Sequence, residues 1–476
     1  MEVPHDGLGA FDDIVSQGHS QSQHAVRGRV VRAQPEDQVD ALAATADAER
    51  ELRGSGRAVW HAGEYAFSPA LPTASLVTVE TVPPSARALL AGALSAVALA
   101  AATGVPWSEQ GEARGQVAHV SVLEPWYRAL DGSADAPATV VVMGDSVSEG
   151  YGAVADLERR WVGRLQDNLR ATLPGSTCPV GSGGYEGTTS LVPAWYAAPS
   201  LPDPQIDGEH LLLDEVGPGG RAVLLGPGAS ITWRARAAEV AIGYRTGRVG
   251  GVLRVTVDGE TALAGAAIET ESEESARQVW FSATRDVEQR RYTVTNVSRK
   301  RYATVTDMTP YLGDRGRCVH VVDASHSGIA ASTVSARPDY VRDSISMNPD
   351  LLVLPLGFND ARAGRSPEQL QRSVARIIAI ARSSGYRGPV LLASWHTPPP
   401  GFFDTSWWDY RASLQELAGD RGVAYVDIGS DLPPVAGAPK GVYLDALHPG
   451  PRGQELIAAA MTRSLTRTGP VVPGAQ

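Results

Sequence analysis

The sequence predicts a mostly parallel α/β sheet that is interrupted by an antiparallel β-sandwich. The β-branched run TVVVM (139–143) is typical of a parallel strand buried on both faces, and a helix-like stretch follows it at 157–173. From about 182 to 312, short alternating strands are separated by Gly, Asp and Asn turns, which favours a sandwich. Strands alternate with helices again from Cys318, so one α/β domain is split by an insertion.

These changes of pattern divide the chain into five parts. They are an N-terminal region, a first α/β segment, the inserted sandwich, a second α/β segment and a short tail: 1–136, 137–181, 182–315, 316–468 and 469–476. The insertion resembles jelly-roll, carbohydrate-binding domains in architecture, although no motif secures that likeness.

The N-terminal region is the hardest part of the chain to interpret. Residues 34–53 have helical character, and 57–67 and 74–82 are typical of short strands. The phrase GRAVWHAGEYAFSPAL, followed by SLVTVE, faintly resembles one turn of a right-handed β-helix, with no repeat after it. The uncharged stretch 88–107 has the length of a membrane span, but alanine is its commonest residue and few leucines or valines could drive insertion. We therefore favour a buried helix over a membrane anchor. Attachment to structural partners is the hypothesis for this region.

Composition excludes several classes of protein. The chain has 476 residues, of which 43% are hydrophobic and 20% charged, and its net charge is −11. This composition is globular, and the acidic balance argues against a nucleic-acid binder. The first residues, MEVPHDGLGAFDDIVSQG, include acidic side chains and lack the apolar run of a signal peptide. The histidines and cysteines show no metal-ligand spacing, so we expect neither a metal nor another cofactor.

The two cysteines, Cys178 and Cys318, flank the predicted insertion. An inserted domain usually leaves and rejoins its host at nearby points, so the pair could form a disulfide at the neck. Two free buried thiols are the alternative. A disulfide would favour a location outside a reducing cytosol, at a cell surface or on a virion.

A candidate nucleophile stands where the first buried strand ends. Ser146 follows TVVVM directly in the sequence GDSVSEGYG, and open α/β sheets carry their functional loops at the carboxyl ends of strands. The sequence is not a G-x-S-x-G elbow, because position 148 is Ser. Taken alone, Gly-Asp-Ser is a common turn.

A candidate base comes from the D-x-x-H pattern, which occurs three times: Asp207/His210, Asp323/His326 and Asp445/His448. Position distinguishes them. The first pair falls in the insertion, and the second follows the strand at Cys318. The third lies between the last strand and the closing helix, where a base can face a nucleophile on the first strand's loop.

Four motifs together carry a family resemblance. GDSVSEGYG resembles the first block of the SGNH (GDSL-like) hydrolases, VVDASHSG the second, GFND the third and DALHP the last. All four occur in the family's order, each at a strand end, over about 137–178 and 318–465. The resemblance implies a flavodoxin-like parallel sheet and a serine esterase.

The resemblance also assigns roles to individual residues. Ser146 would be the nucleophile, His448 its base and Asp445 the group that orients the base. The oxyanion would be held by the backbone N–H groups of Ser146 and Gly328 and by the side-chain amide of Asn359. A turn-capping role is the alternative for Asn359.

Further residues of the blocks are expected to support the site. Asp145 and Asp360 would brace their loops by hydrogen bonding, and Gly357 opens the third block. The second block of the family often begins with Asn, where this chain has Asp323, which cannot donate an amide N–H. Candidates for the substrate pocket are His326, for which a surface loop is the alternative, and the rim residues Trp395 and His396, with Trp407 and Trp408 nearby.

Three functions are compatible with these motifs. The first is an esterase that removes acyl groups, acetyl above all, from a cell-envelope or other polysaccharide, with the sandwich holding the glycan. The second is a lipase-like carboxylesterase with a broad apolar mouth, and the third is a non-catalytic binding or structural module. The domain arrangement resembles proteins of actinobacteria and tail proteins of their phages, which motivates the virion-associated location.

Overall fold

A computed structural model describes residues 117–151, 160–173, 177–179, 190–191, 204–262, 267–419 and 422–467. The predictions for 34–53, 57–82 and 88–107 lie outside these ranges, as does the tail. No helix within them is both long and apolar enough to cross a membrane.

Strands and helices alternate in the α/β domain, and strands follow one another in the insertion, as the sequence pattern indicates. The strands are β1 (Val117–Ala118), β2 (Ala138–Val142), β3 (Ser190–Leu191), β4 (Gln205–Asp207), β5 (His210–Leu213), β6 (Ala222–Leu225), β7 (Ser230–Ala237), β8 (Glu239–Arg245), β9 (Val252–Val257), β10 (Glu260–Thr261), β11 (Ile268–Glu269), β12 (Arg277–Phe281), β13 (Glu288–Asn296), β14 (Ala303–Tyr311), β15 (Val319–Asp323), β16 (Leu351–Leu354), β17 (Val390–Ser394) and β18 (Val423–Asp427). The helices are α1 (Glu124–Asp131), α2 (Ser146–Glu149), α3 (Trp161–Thr172), α4 (Ala331–Ser335), α5 (Pro338–Ile345), α6 (Phe358–Arg362), α7 (Pro367–Ser383), α8 (Trp407–Glu416) and α9 (Pro451–Leu465).

The α/β domain is built on one six-stranded sheet in the order β1-β18-β17-β16-β2-β15. Five strands are parallel, and β1 joins the edge antiparallel to β18. When the parallel strands are numbered by their sequence, they lie across the sheet in the order 2-1-3-4-5, which is the flavodoxin-like arrangement. The α/β fold with an inserted β region, predicted from the sequence, is confirmed.

Burial explains the composition of these strands. Every residue of β15, β16 and β17 is buried, because helices cover both faces of a parallel sheet. Helices α3 and α9 pack together on one side, and α4, α5 and α8 pack on α7. Helix α1 is fastened to the end of α9 by Trp126 Nε1–H, which donates to the Leu465 carbonyl at 3.0 Å.

The insertion is a sandwich of two antiparallel sheets. One has the order β10-β9-β13-β7-β4 with β11 on β9, and the other β12-β8-β14-β6-β5 with β3 on β14. Inward-facing residues of both sheets form a separate apolar core, which includes Trp233 and Tyr292 from the first sheet and Ile242 and Val305 from the second. The alternation of buried and exposed residues along β7 therefore reflects one face on this core and one in solvent.

The sandwich is attached to helix α5 by buried polar contacts. Arg245 Nη1 pairs with Asp343 at 2.5 Å, and Arg245 Nη2 pairs with Asp339 at 2.8 Å. Asp343 also accepts the backbone N–H of Gly217 at 2.7 Å. Because a buried carboxylate needs its donors, these contacts hold the insertion and α5 in one relative position.

The neck of the insertion is closed by a disulfide between Cys178 and Cys318, whose Cα atoms are 5.8 Å apart. The alternative of two free thiols is therefore wrong. Beside it, Arg170 of α3 donates to the carbonyls of Pro179 and Val319 and pairs with Asp314 at 2.7 Å. One buried guanidinium thus holds the chain on both sides of the insertion.

We expect the disulfide to stabilise the fold. It closes a loop across a sequence separation of 140 residues, and the double variant Cys178→Ser/Cys318→Ser should lose about 2–4 kcal/mol of unfolding free energy. Thermal unfolding with and without reductant measures this loss. The wild type should lose stability in reductant, whereas the variant should not respond. Equal melting temperatures of the two proteins without reductant would contradict the expectation.

Candidate active site

Ser146 stands at the carboxyl end of β2 as the first residue of the short helix α2. Asp145 is its N-cap, and the Asp145 side chain accepts the backbone N–H of Val147 at 3.0 Å. This cap satisfies a helix donor that has no intrahelical partner. The strand, the cap and the short helix together hold Ser146 at the edge of the sheet.

His448 and Asp445 meet Ser146 from the loop before α9. The Ser146 Oγ lies 3.0 Å from His448 Nε2, and His448 Nδ1 lies 2.8 Å from Asp445 Oδ2. Because a carboxylate can only accept, Nδ1 carries the ring proton and Nε2 keeps a lone pair toward Ser146. The three side chains thus have the order nucleophile, base and orienting acid that acyl transfer requires.

The acid is held in its ionised form by local hydrogen bonds. Burial would raise the pKa of Asp445, but the bond to the His448 ring and the backbone N–H groups of Leu447 and His448 hold that pKa below its ordinary value. Both N–H groups donate to Oδ1 at 2.8 Å. A carboxylate therefore faces Nδ1 at neutral pH, and it stabilises the imidazolium that forms when His448 accepts a proton.

The loop after β15 is joined to the nucleophile segment. His326 N–H donates to the Gly144 carbonyl at 3.0 Å, and Gly144 N–H donates to Ser325 Oγ at 3.1 Å. Gly328 has a φ of 77° and is exposed, and a Cβ there would meet nothing within 4 Å. Glycine is therefore required for the backbone conformation and not for space.

The loop after β16 is tied to the same place. Asn359 Nδ2 donates to the Ile329 carbonyl at 3.0 Å, and the buried Asp360 accepts the N–H groups of Ala331 and Ser332 at 2.7 and 3.2 Å. Gly357 has a φ of 137°, which other residues rarely adopt. The amide of Asn359 is thus fixed next to the loop that carries Gly328.

Asp323, which stands where the family often has Asn, has a partner in this chain. Its carboxylate forms a buried ion pair with Arg160, and Oδ1 accepts the N–H of Ser325 at 3.1 Å. These two contacts hold the Asp323 side chain in place at the start of the second block. Among the other D-x-x-H pairs, His210 lies exposed in the insertion and bonds to the Gly208 carbonyl at 2.9 Å.

Asp145 is fully buried, and burial raises its pKa to about 7, against the hydrogen bond from Val147 and the influence of Trp395. Neither Asp145 Oδ2 nor Trp395 Nε1 has a hydrogen-bond partner of normal geometry in the described parts of the chain. The indole therefore acts on the carboxyl as a nearby dipole. The Asp145 carboxyl therefore lies in the protein interior, next to Ser146 in the chain but out of contact with solvent.

The residues expected at the pocket rim have other positions. Trp395 is 1% exposed and His396 is 2% exposed, so both lie in the interior, because the chain after β17 turns inward against Trp161 and Phe358. His326 is half-buried and faces the insertion, where its Nδ1–H donates to the Gly219 carbonyl at 2.8 Å.

His396 supports the loop of the triad. Its Nε2–H donates to the Ala446 carbonyl at 3.1 Å, between Asp445 and His448. Its ring also contacts that of Tyr443 at 4.5 Å. Burial lowers the pKa of His396 to about 4, so the ring stays neutral and keeps a single donor for this bond.

Two contacts at the site were not anticipated from the motifs. The ring of Tyr151 lies 4.4 Å from the imidazole of His448 and is 40% exposed. Glu149, at the end of α2, pairs with Arg221 of the insertion. Both Glu149 and Tyr151 belong to the GDSVSEGYG block, but the block does not assign them a partner. In the described ranges, no group of three or more His, Cys, Asp or Glu side chains could hold a metal.

Known proteins share this architecture. Residues 294–456 match the model of the GDSL-like lipase/acylhydrolase family. An arylesterase of Vibrio mimicus is 25% identical over 156 residues, which cover 32% of this chain and 74% of that protein. A solved structure described as a peptidoglycan O-acetylesterase is 14% identical, covers 73% of this chain and 97% of its own, and superimposes with a TM-score of 0.55.

The last match concerns the fold, and it covers more residues than the α/β segments alone contain. The motif order, the 2-1-3-4-5 sheet and the family match agree with one another. The α/β domain of this chain therefore has the SGNH hydrolase fold, and residues 294–456 are similar to the GDSL-like lipase/acylhydrolase family.

Proposed function

We propose that this protein is a serine esterase that removes acetyl groups from a polysaccharide of a cell envelope. The observation that carries the proposal is the hydrogen-bonded series from Ser146 through His448 to Asp445. Ester hydrolysis by a serine needs a nucleophile, a base and an orienting acid that are hydrogen-bonded in this order, whereas the packing of the fold does not need them.

The geometry supports a two-step reaction. His448 Nε2 takes the proton of Ser146 Oγ while the oxygen attacks the ester carbonyl carbon, and the imidazolium then protonates the leaving alcohol. Water attacks the resulting acyl-enzyme with His448 again as base, which releases the acid and restores Ser146. The N–H groups of Ser146 and Gly328 and the amide of Asn359 are the proposed donors to the oxyanion in both steps.

The glycan substrate is supported by the inserted sandwich and the surface of the site. The structure described as a peptidoglycan O-acetylesterase matches 73% of this chain, which is more residues than the α/β domain alone contains. Tyr151 adds an exposed aromatic ring beside His448, a surface suited to the apolar face of a sugar. The disulfide supports a location outside a reducing cytosol. Association with a virion stays a prediction.

Replacing the nucleophile tests the mechanism. Ser146→Ala should lower kcat for p-nitrophenyl acetate at least about a thousandfold, because it removes the attacking oxygen. The control is Ser148→Ala, in the same short helix, which should keep the wild-type rate. Activity that survives in Ser146→Ala would exclude Ser146 as nucleophile, and a wild type inactive on every ester would favour the non-catalytic module.

Substrate preference tests the polysaccharide. We expect p-nitrophenyl acetate to be hydrolysed faster than the octanoate, and acetate to be released from O-acetylated peptidoglycan or acetylated xylan. Chromatography of the released acid measures this directly. A preference for the octanoate, with no acetate released from either polymer, would favour the lipase-like alternative.

Replacing the side-chain donor tests the oxyanion hole. Asn359→Ala should lower kcat about 100- to 1,000-fold with little change in KM, because the charge that it stabilises develops in the transition state. Steady-state kinetics with p-nitrophenyl acetate separate the two parameters. An increase in KM alone would mean that Asn359 binds the substrate and does not stabilise the oxyanion.

A further inference from the structure

A buried ion pair joins the inserted sandwich to the nucleophile helix. Arg221, directly before β6, donates from Nη1 to Glu149 Oε1 at 2.5 Å and from Nη2 to Glu149 Oε2 at 2.8 Å. The two side chains are 9% and 11% exposed. The pair is therefore bidentate and largely desolvated, the geometry in which an arginine imposes an orientation on a carboxylate.

The same carboxylate holds the loop that carries Gly328. Glu149 Oε2 accepts the backbone N–H of Ser327 at 2.6 Å. Glu149 ends the helix that Ser146 begins, and Ser327 directly precedes Gly328. One side chain thus fixes the distance between the segment of the nucleophile and the segment of a proposed oxyanion donor.

A second contact connects the insertion to this loop. His326 donates to the Gly219 carbonyl at 2.8 Å, so two consecutive residues before Gly328 are held, one by the insertion directly and one through Glu149. The turn that presents Gly219 and Arg221 is itself anchored, because Gly217 N–H donates to Asp343 of α5 at 2.7 Å.

Loss of Arg221 would alter this arrangement in a predictable way. The carboxylate of Glu149 would remain buried without its guanidinium, and it would turn toward water or take up a proton. Either change weakens its bond to Ser327. Because the Ser327 peptide precedes Gly328, the direction of the Gly328 N–H would then be less well defined, and small displacements of oxyanion donors are costly to catalysis.

We propose that Arg221 is a positioning residue of the esterase site. Through Glu149 it fixes the position of the loop at 325–329, which carries Gly328, relative to Ser146. The inserted sandwich is then part of the catalytic apparatus as well as a candidate glycan-binding domain. The proposal rests on the proposed function, since it takes Ser146 as nucleophile and Gly328 as donor.

The test uses p-nitrophenyl acetate, a substrate too small to need a glycan-binding surface. Arg221→Ala in the full chain should lower kcat about 10- to 100-fold with little change in KM, as loss of transition-state stabilisation requires. Arg221→Lys, which keeps the charge but not the fork, should recover part of the rate. Glu149→Ala should lower kcat as much as Arg221→Ala, and the double variant should be no slower than either, because both act through one contact.

The matched control is Asp339→Ala. Asp339 belongs to the same interface and accepts from Arg245 Nη2 at 2.8 Å, so its loss removes an ion pair there while Asp343 keeps its contacts with Arg245 and Gly217. It should lower the melting temperature while kcat stays within about twofold of the wild type. Equal losses of kcat in Arg221→Ala and Asp339→Ala, in step with their melting temperatures, would overturn the proposal in favour of a purely structural role.

Two further outcomes are informative. Wild-type kcat in a folded Arg221→Ala, or additive losses in the double variant, would also overturn the positioning role. Ser146→Ala separates this failure from that of the proposed function. If the wild type is active, Ser146→Ala is inactive and Arg221→Ala is fully active, the esterase assignment stands and the positioning role alone is wrong.

Discussion

Strand β2 pairs in parallel with β15 on one side and β16 on the other, and the candidate active site depends on this pairing. Ser146, Gly328 and Asn359 follow these three neighbouring strands, so the backbone ladder itself brings their loops to one edge. The order 2-1-3-4-5 places β2 and β16 at the point where the connections change direction, which is where open α/β sheets bind their ligands. His448 reaches it from the end of the last parallel strand.

The electrostatics of the site follow from how each carboxyl is solvated. Asp445 receives backbone N–H donors and the His448 ring, which keep its pKa low despite partial burial. Asp145 lies deeper with fewer donors, and burial raises its pKa to about 7. Burial likewise raises the pKa of Asp360, although two backbone N–H groups oppose this effect. Carboxyls of one chemical type thus differ in pKa because their burial and their hydrogen-bond donors differ.

The insertion is joined to the α/β domain by ion pairs at its neck, at helix α5 and at α2. The neck combines the Cys178–Cys318 disulfide with the buried ion pair of Arg170 and Asp314. Helix α5 receives Arg245, and the nucleophile helix receives Arg221. All three arginines come from segments whose sequences show no motif. An insertion that only tethered a glycan-binding domain would need the neck but not the contact with α2.

The sequence by itself determined the split α/β fold, because buried parallel strands need continuous apolar runs and sandwich strands need alternation. It also indicated Ser146, Asn359, Asp445 and His448 as candidates, because they stand in short blocks at strand ends, and the structure brings Ser146, His448 and Asp445 into hydrogen-bond contact. The tertiary structure alone decided the burial of Trp395 and the contact of Arg221 with Glu149. Such outcomes depend on which distant segments pack together, and neither local periodicity nor residue spacing encodes that choice.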